Sequence, residues 1–281
     1  MPLPIRDITL DGPHPPLPIR VYPAEAACPC AGALLWWIHG GAFVGGSLDM
    51  PESDAVCRAL SEAGVVCVAV GYRLAPRFGD RRAQRAPDAV RFPQPLDDCE
   101  RAWRWARQNV ADLGAEPNRC HVGGASAGGT PAAPLTLRLI RAASPAPASL
   151  VLAYPLLHAE LPPLGPRLGR RLRGLRRLGT FTQASVRWVA CNYVGRDRPE
   201  RLPEAFPGGA DLSGFPPTLI VNSERDTLRA SGERFAEELR AHGRRVQVGY
   251  EPGTSHGDLN RPGRTGFDAS IARIVEWLGS D

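Results

Sequence analysis

The residues Gly124-Ala125-Ser126-Ala127-Gly128 form a G-x-S-x-G pattern between an apolar run and a helical segment. A serine at the tip of a tight strand-to-helix turn presents its hydroxyl above a sheet, where it can attack an acyl carbonyl. The glycines have a physical reason. The serine backbone is strained there, and bulkier neighbours would collide with the following helix and the adjoining strand. The same position is a helix N-terminus, whose backbone amides favour developing negative charge. A second set, His39-Gly40-Gly41-Ala42-Phe43, follows the apolar run Leu34-Leu35-Trp36-Trp37-Ile38. A glycine turn lets backbone N–H groups approach a substrate carbonyl, so the amides of Gly41, Ala42 and Ala127 are candidates for an oxyanion hole. His39 and Gly40 belong to the supporting turn, and His39 reads as a loop-organising hydrogen bonder.

Short apolar runs alternate along the chain with longer helical patterns, the signature of an α/β fold with a parallel sheet covered on both faces. Strands are expected at 33–38, 65–70, 119–122, 149–153, 218–222 and 245–249. Helices are expected at 52–63, 96–113, from Ser126 onward, 229–242 and 270–278. An opening pair, 5–10 and 17–22, is expected as an antiparallel edge hairpin. Two stretches interrupt the alternation: the Arg- and Pro-containing loop Pro76 to Pro95, and Leu161 to Gly209, which reads as helices and loops without a strand. Binding loops of a doubly wound sheet gather at the strands' carboxyl ends, which makes 161–209 a candidate helical lid. One domain is expected over 1–281.

The 281 residues, 43% apolar and 22% charged, provide for a full core and argue against a disordered or coiled-coil chain. No apolar run reaches the roughly 18 residues of a membrane span, and the Pro-rich N-terminus does not resemble a secretion signal, so the expected address is the cytoplasm. The net charge of +5 arises from 34 basic residues that are all arginine. They are scattered, with no aromatic-and-basic stripe, so nucleic acid is not an expected partner. The dense group Arg167, Arg170, Arg171, Arg173, Arg176 and Arg177 reads as a solvated helix face. Seven cysteines lack CxxC or paired Cys/His spacing, so neither a metal site nor a disulfide framework is indicated. Most read as core residues; Cys28 and Cys30 are expected in an exposed Pro-rich loop.

From about Ile19 to the C-terminus, the chain resembles the hormone-sensitive-lipase-like bacterial carboxylesterases of the α/β-hydrolase superfamily. The matching pieces are His39-Gly40-Gly41, Tyr72-Arg73-Leu74-Ala75-Pro76, Pro95-Leu96-Asp97-Asp98 and Gly123 to Gly129. In that fold the catalytic residues follow the chain order serine, acid, histidine. By resemblance, Asp226 in Asn222 to Arg229 matches the family acid, and His256 in Gly253-Thr254-Ser255-His256-Gly257 matches the family base. Glu224 is the nearest competitor to Asp226, while Asp258 stands too close to His256 in the chain. His14, His121, His158 and His242 have poorer contexts. The resemblance implies a serine hydrolase of small carboxylic esters, with short acyl chains and no cofactor or metal. It leaves homodimerisation through the C-terminal strand and helix open. A lactonase or deacetylase would use the same triad, and non-catalytic small-molecule receptors share the fold.

Several positions depart from the family pattern. Ala42 stands where a third glycine is common, which is harmless only if its φ is negative. Ala125 replaces a common aspartate beside the serine. Pro131 and Pro134 fall in the helix after Ser126, where Pro134 should remove a helical hydrogen bond unless the helix kinks or begins late. His39 lies so early that only a short hairpin precedes it, which implies a more open acyl or alcohol pocket. The loop Arg77 to Arg91 is longer than usual and reads as a solvated insertion or an acidic-substrate contact. Asp97 and Asp98 read as helix-capping and loop-bracing groups.

Overall fold

A computed structural model describes residues 4–12, 15–24, 30–172 and 180–280. His14, Cys28, Arg173, Arg176 and Arg177 lie outside the described residues, as do the side chains of Arg167 and Arg171. Among the described residues there are eight strands: β1 (Arg6–Leu10), β2 (Leu17–Tyr22), β3 (Leu34–Ile38), β4 (Val66–Val70), β5 (Cys120–Ala125), β6 (Leu150–Ala153), β7 (Thr218–Arg225) and β8 (Val246–Ser255). They form one sheet in the order β1-β2-β4-β3-β5-β6-β7-β8. The hairpin β1–β2 is antiparallel and joins β4 antiparallel, whereas β4 through β8 run parallel. The expected α/β class, mostly parallel sheet and antiparallel edge hairpin are all present.

The central strands are continuously apolar because both faces are covered. Alternate residues serve opposite layers: Leu34, Trp36 and Ile38 of β3 join one core, Leu35 and Trp37 the other. The first layer contains α3 (Gln94–Gln108), α4 (Gly129–Arg141) and α7 (Arg229–Ala241). The second contains α1 (Asp54–Glu62) and α8 (Thr265–Gly279). Between residues 161 and 209 lie α5 (Pro166–Arg171), α6 (Gln183–Val194) and a 3-10 turn at Pro199–Arg201, with no strand among the described residues. A short helix α2 (Arg81–Arg85) interrupts the loop expected at Pro76 to Pro95. Among the described residues, no helix is long and apolar enough to cross a membrane.

Several expected boundaries move. β7 and β8 extend beyond 222 and 249 to Arg225 and Ser255, with an irregular register near Ser223 and Arg225. β8 is an edge strand, which is why Pro252 is tolerated inside it. Cys30 is buried against α8, its thiol 3.3 Å from the Val275 carbonyl, and so corrects the exposed-loop expectation. Pro131 is the third residue of α4, where amides have no helical acceptor, but Pro134 lies inside the helix, which neither breaks nor starts late. Asp97 and Asp98 do not cap α3. Asp98 braces the Arg73 loop through a bidentate ion pair (2.7 and 2.9 Å), and Asp97 pairs with Arg138 of α4 at 2.7 Å.

Candidate active site

Because β3, β5, β7 and β8 are parallel, their carboxyl ends emerge on one side of the sheet. Ser126 follows β5 in a 3-10 turn, Ser126–Gly128, with φ +53°. A Cβ on Gly124 would strike the Gly128 carbonyl, and one on Gly128 would strike the carbonyls of Ile38 and His39. These are the helix-start and adjoining-strand collisions that make the glycines necessary. The left-handed serine backbone aims Oγ at His256 Nε2, 2.8 Å away. His256 Nδ1 lies 2.7 Å from Asp226 Oδ2, and Asp226 Oδ1 accepts from the Leu228 amide at 2.9 Å. Asp226 is 1% exposed. Burial pulls the His256 pKa down, but the adjacent Asp226 charge and hydrogen bond, with Glu52 adding to them, outweigh it and hold the pKa above the ordinary imidazole value.

The competing groups have other partners. Glu224 accepts from the Gly253 amide at 2.8 Å. His121 faces Ser149, and burial lowers its pKa to about 4. His158 lies between Ser231 and Glu238, and His242 is at the end of α7.

The His39 turn is shaped from three directions. Gly41 has φ +114°, and a Cβ there would meet the Gly45 carbonyl. Ala42 and Phe43 follow at φ +53° and +64°, so the condition of a negative φ at Ala42 fails. That conformation costs an alanine on the order of 1–2 kcal/mol. It is held because Phe43 is buried and stacked on Tyr193 of α6, ring centroids 3.9 Å apart. His39 is buried, stacks on Tyr72 at 4.6 Å and places Nδ1 2.8 Å from the Gly40 carbonyl. Burial lowers its pKa against the opposing effect of that hydrogen bond. Ala127 is the second residue of its 3-10 turn, where an amide has no intrahelical acceptor. The amides of Gly41 and Ala42 donate to no backbone carbonyl among the described residues.

Glu52 is a site residue that motif reading missed. It is 2% exposed, and its carboxylate accepts from the Gly40 amide (2.7 Å), the Tyr154 hydroxyl (2.6 Å) and Asn260 Nδ2 (3.0 Å). Tyr154 in turn presents its ring to His256, with centroids 5.1 Å apart. One buried carboxylate therefore ties the glycine turn to the histidine loop. Burial raises its pKa, while Tyr154, His256, Gly40 and Asn260 act in the opposite direction. The only sequence sign was a glutamate just before an apolar helix, which ordinarily means a solvated helix start.

The long arginine loop packs on α6. Arg91 donates to the Asn192 carbonyl and, at 2.7 Å, to its side chain, while Asn192 returns a hydrogen bond to Pro76 at 3.0 Å. Arg91 thus braces α6. Around Ser126 lies a small cavity walled by Ala42, Ala127, Leu156, Phe181, Val186 and Val189, so α6 closes a side that was expected to be more open. Among the described residues, no group of three or more His, Cys, Asp or Glu could hold a metal ion.

Residues 35–259 match the family profile described as the alpha/beta hydrolase fold. The ethyl acetate hydrolase of Pseudomonas putida is 33% identical over 270 residues, covering 93% of this chain and 78% of that protein. The carboxylesterase NlhH of Mycobacterium tuberculosis is 30% identical over 257 residues, covering 87% of this chain and 72% of that protein. Among solved structures, a Pyrobaculum calidifontis esterase superposes with a TM-score of 0.83 at 29% identity, covering all of this chain and 86% of that one.

Proposed function

Since the chain belongs to the alpha/beta hydrolase family, we propose that it is a carboxylesterase cleaving small esters of short acyl chains through an acyl-enzyme on Ser126. The observation that carries this reading is the unbroken relay from Ser126 Oγ to His256 Nε2 and from Nδ1 to Asp226. A serine hydroxyl is inert at neutral pH without a base, and the base needs an acid to fix its tautomer. His256 removes the Ser126 proton as the oxygen attacks the ester carbonyl. Asp226 keeps Nδ1 protonated and stabilises the imidazolium. The oxyanion is received by the amides of Gly41, Ala42 and Ala127, each such donor contributing on the order of 3 kcal/mol to the transition state. His256 then returns the proton to the departing alcohol and activates the water that releases the acid. The segment 161–209 acts as the lid, with α6 over the serine.

The test is hydrolysis of p-nitrophenyl esters from acetate upward, with labelling by a fluorophosphonate. Turnover and labelling that both vanish in Ser126→Ala support the reading. An unlabelled, inactive native protein refutes it and favours a receptor.

A further inference from the structure

Two cavities of unequal size meet at Phe181. The first touches Ser126 and the amide-bearing Ala42 and Ala127; its volume of about 10 Å³ is the room of a single water. Its far wall is Val186 and Val189 of α6, both buried, and the Thr182–Ser185 capping box fixes the start of that helix. The second cavity is a groove of about 530 Å³, within the size range of pockets for drug-sized molecules. It runs along Leu161, Pro162, Pro163 and Leu164 and reaches Phe181 and Thr227. Phe181 lies edge-on to the His256 ring at 4.8 Å, and Thr227 adjoins Asp226 and donates to the Phe181 carbonyl at 2.8 Å.

The chemistry assigns the two sides. With the carbonyl oxygen on the amides of Gly41, Ala42 and Ala127, the acyl substituent points away from that oxygen, toward the cavity's apolar wall of Leu156, Val186, Val189 and Leu228. The leaving alcohol takes its proton from His256 and so departs on the histidine side, where the groove lies. Building on the esterase reading, we infer that the enzyme's substrates are acetyl esters of bulky alcohols that carry both a ring and polar groups, with Val186 and Val189 setting the acyl limit. One methyl group fills the small cavity; a longer acyl chain must displace two buried β-branched side chains, which have little rotamer freedom on a helix. The alcohol meets a preformed wall, because adjacent prolines fix the backbone and cannot repack. The groove also carries the polar groups Glu160, Thr182, Gln183 and Thr227, of which Glu160 is already paired with Arg187 at 2.9 Å.

The experiment measures kcat/KM for p-nitrophenyl acetate, butyrate and hexanoate, and separately for ethyl, cyclohexylmethyl and naphthylmethyl acetates, whose alcohols are close in acidity. The native enzyme should lose at least about a hundredfold from acetate to hexanoate, since one misfitting methylene alone is worth about 10–200-fold. Val189→Ala should raise the hexanoate-to-acetate ratio at least tenfold, with Val186→Ala as the second variant if the first does not fold. Naphthylmethyl acetate should exceed ethyl acetate at least tenfold, and Leu164→Glu should lower that ratio at least tenfold. Hexanoate cleaved within threefold of acetate overturns the acyl limit. Equal rates for ethyl and naphthylmethyl acetates overturn the alcohol assignment. No turnover of any ester, with Ser126 unlabelled, overturns the esterase reading instead, a result distinct from the other two.

Discussion

Glu52→Gln separates a positioning role of the buried carboxylate from a purely structural one. Three donors converge on Glu52: the Gly40 amide, the Tyr154 hydroxyl and Asn260 Nδ2. A glutamine has one carbonyl oxygen, so it satisfies Gly40 and turns its NH2 toward Tyr154 and Asn260. Tyr154 oxygen already accepts from the Leu259 amide, and Asn260 Oδ1 from the Glu52 amide, so the replacement is poorly accommodated. One unsatisfied buried donor costs about 1–3 kcal/mol. Removing the charge works the other way. Burial raises the folded-state pKa of Glu52, so its ionisation lowers stability as pH rises through the carboxylate range, and glutamine relieves that loss. The two effects nearly cancel, and the thermal midpoint should move by only a few degrees. Activity has no such compensation.

The 5.1 Å between the Tyr154 and His256 rings and the 2.6 Å from the Tyr154 hydroxyl to Glu52 bound the separation of carboxylate and imidazole. Taking about 10 Å and an effective dielectric of about 20, the carboxylate stabilises the imidazolium by on the order of 1.5 kcal/mol. That imidazolium forms in the transition state, so kcat should fall about tenfold. Because Glu52 raises the His256 pKa, its neutralisation must lower that pKa, and the acid limb of the kcat/KM profile must shift to lower pH. The assay is p-nitrophenyl acetate hydrolysis from pH 5 to 9, beside thermal unfolding. A lower midpoint with an unmoved acid limb would show that Glu52 only braces the loops.

Asp226→Asn should leave the fold intact and reduce kcat about 10³–10⁴-fold, since the amide stabilises the wrong imidazole tautomer; a loss under tenfold, by the same assay, would remove Asp226 from the relay. Ala42→Gly relieves an alanine at φ +53° and should keep activity within about threefold while unfolding at an equal or higher temperature. Pro134→Ala restores an amide to the interior of α4 and should stabilise by about 2 kcal/mol in chemical denaturation, after allowance for the freer unfolded chain. Asp98→Ala strips the bidentate partner from Arg73 and should cost about 2–3 kcal/mol in the same measurement.

The elements legible in the sequence are those decided by local physics. β3 and β4 announce themselves as apolar runs because helices cover both faces. Ser126 and the His39 turn are legible because glycines must stand where backbones nearly touch. The family resemblance, with its serine, acid, histidine order, then points to Asp226 and His256, which the fold brings within hydrogen-bonding distance of one another. Long-range contacts left weaker marks. Glu52 owes its burial partly to Asn260, 208 residues away, so nothing near it distinguishes it from a solvated glutamate. The positive φ of Ala42 comes from Phe43 docking under Tyr193, a residue of another element. Pro252 concealed the last residues of β8, since a proline within a strand is tolerated at a sheet edge or a register irregularity, and both are properties of topology. Val186 and Val189, beside Ser126, lie in the segment 161–209 that reads as a candidate lid, but nothing local marks which of its residues face the serine.

The acyl-enzyme on Ser126 is tested by rapid mixing of the enzyme with excess p-nitrophenyl acetate, acid quenching, and mass analysis of the peptide that carries Ser126. One acetyl group is expected on Ser126 during turnover, with neither turnover nor acetylation in Ser126→Ala. Acetyl on another residue, or undiminished hydrolysis by Ser126→Ala, would contradict that expectation.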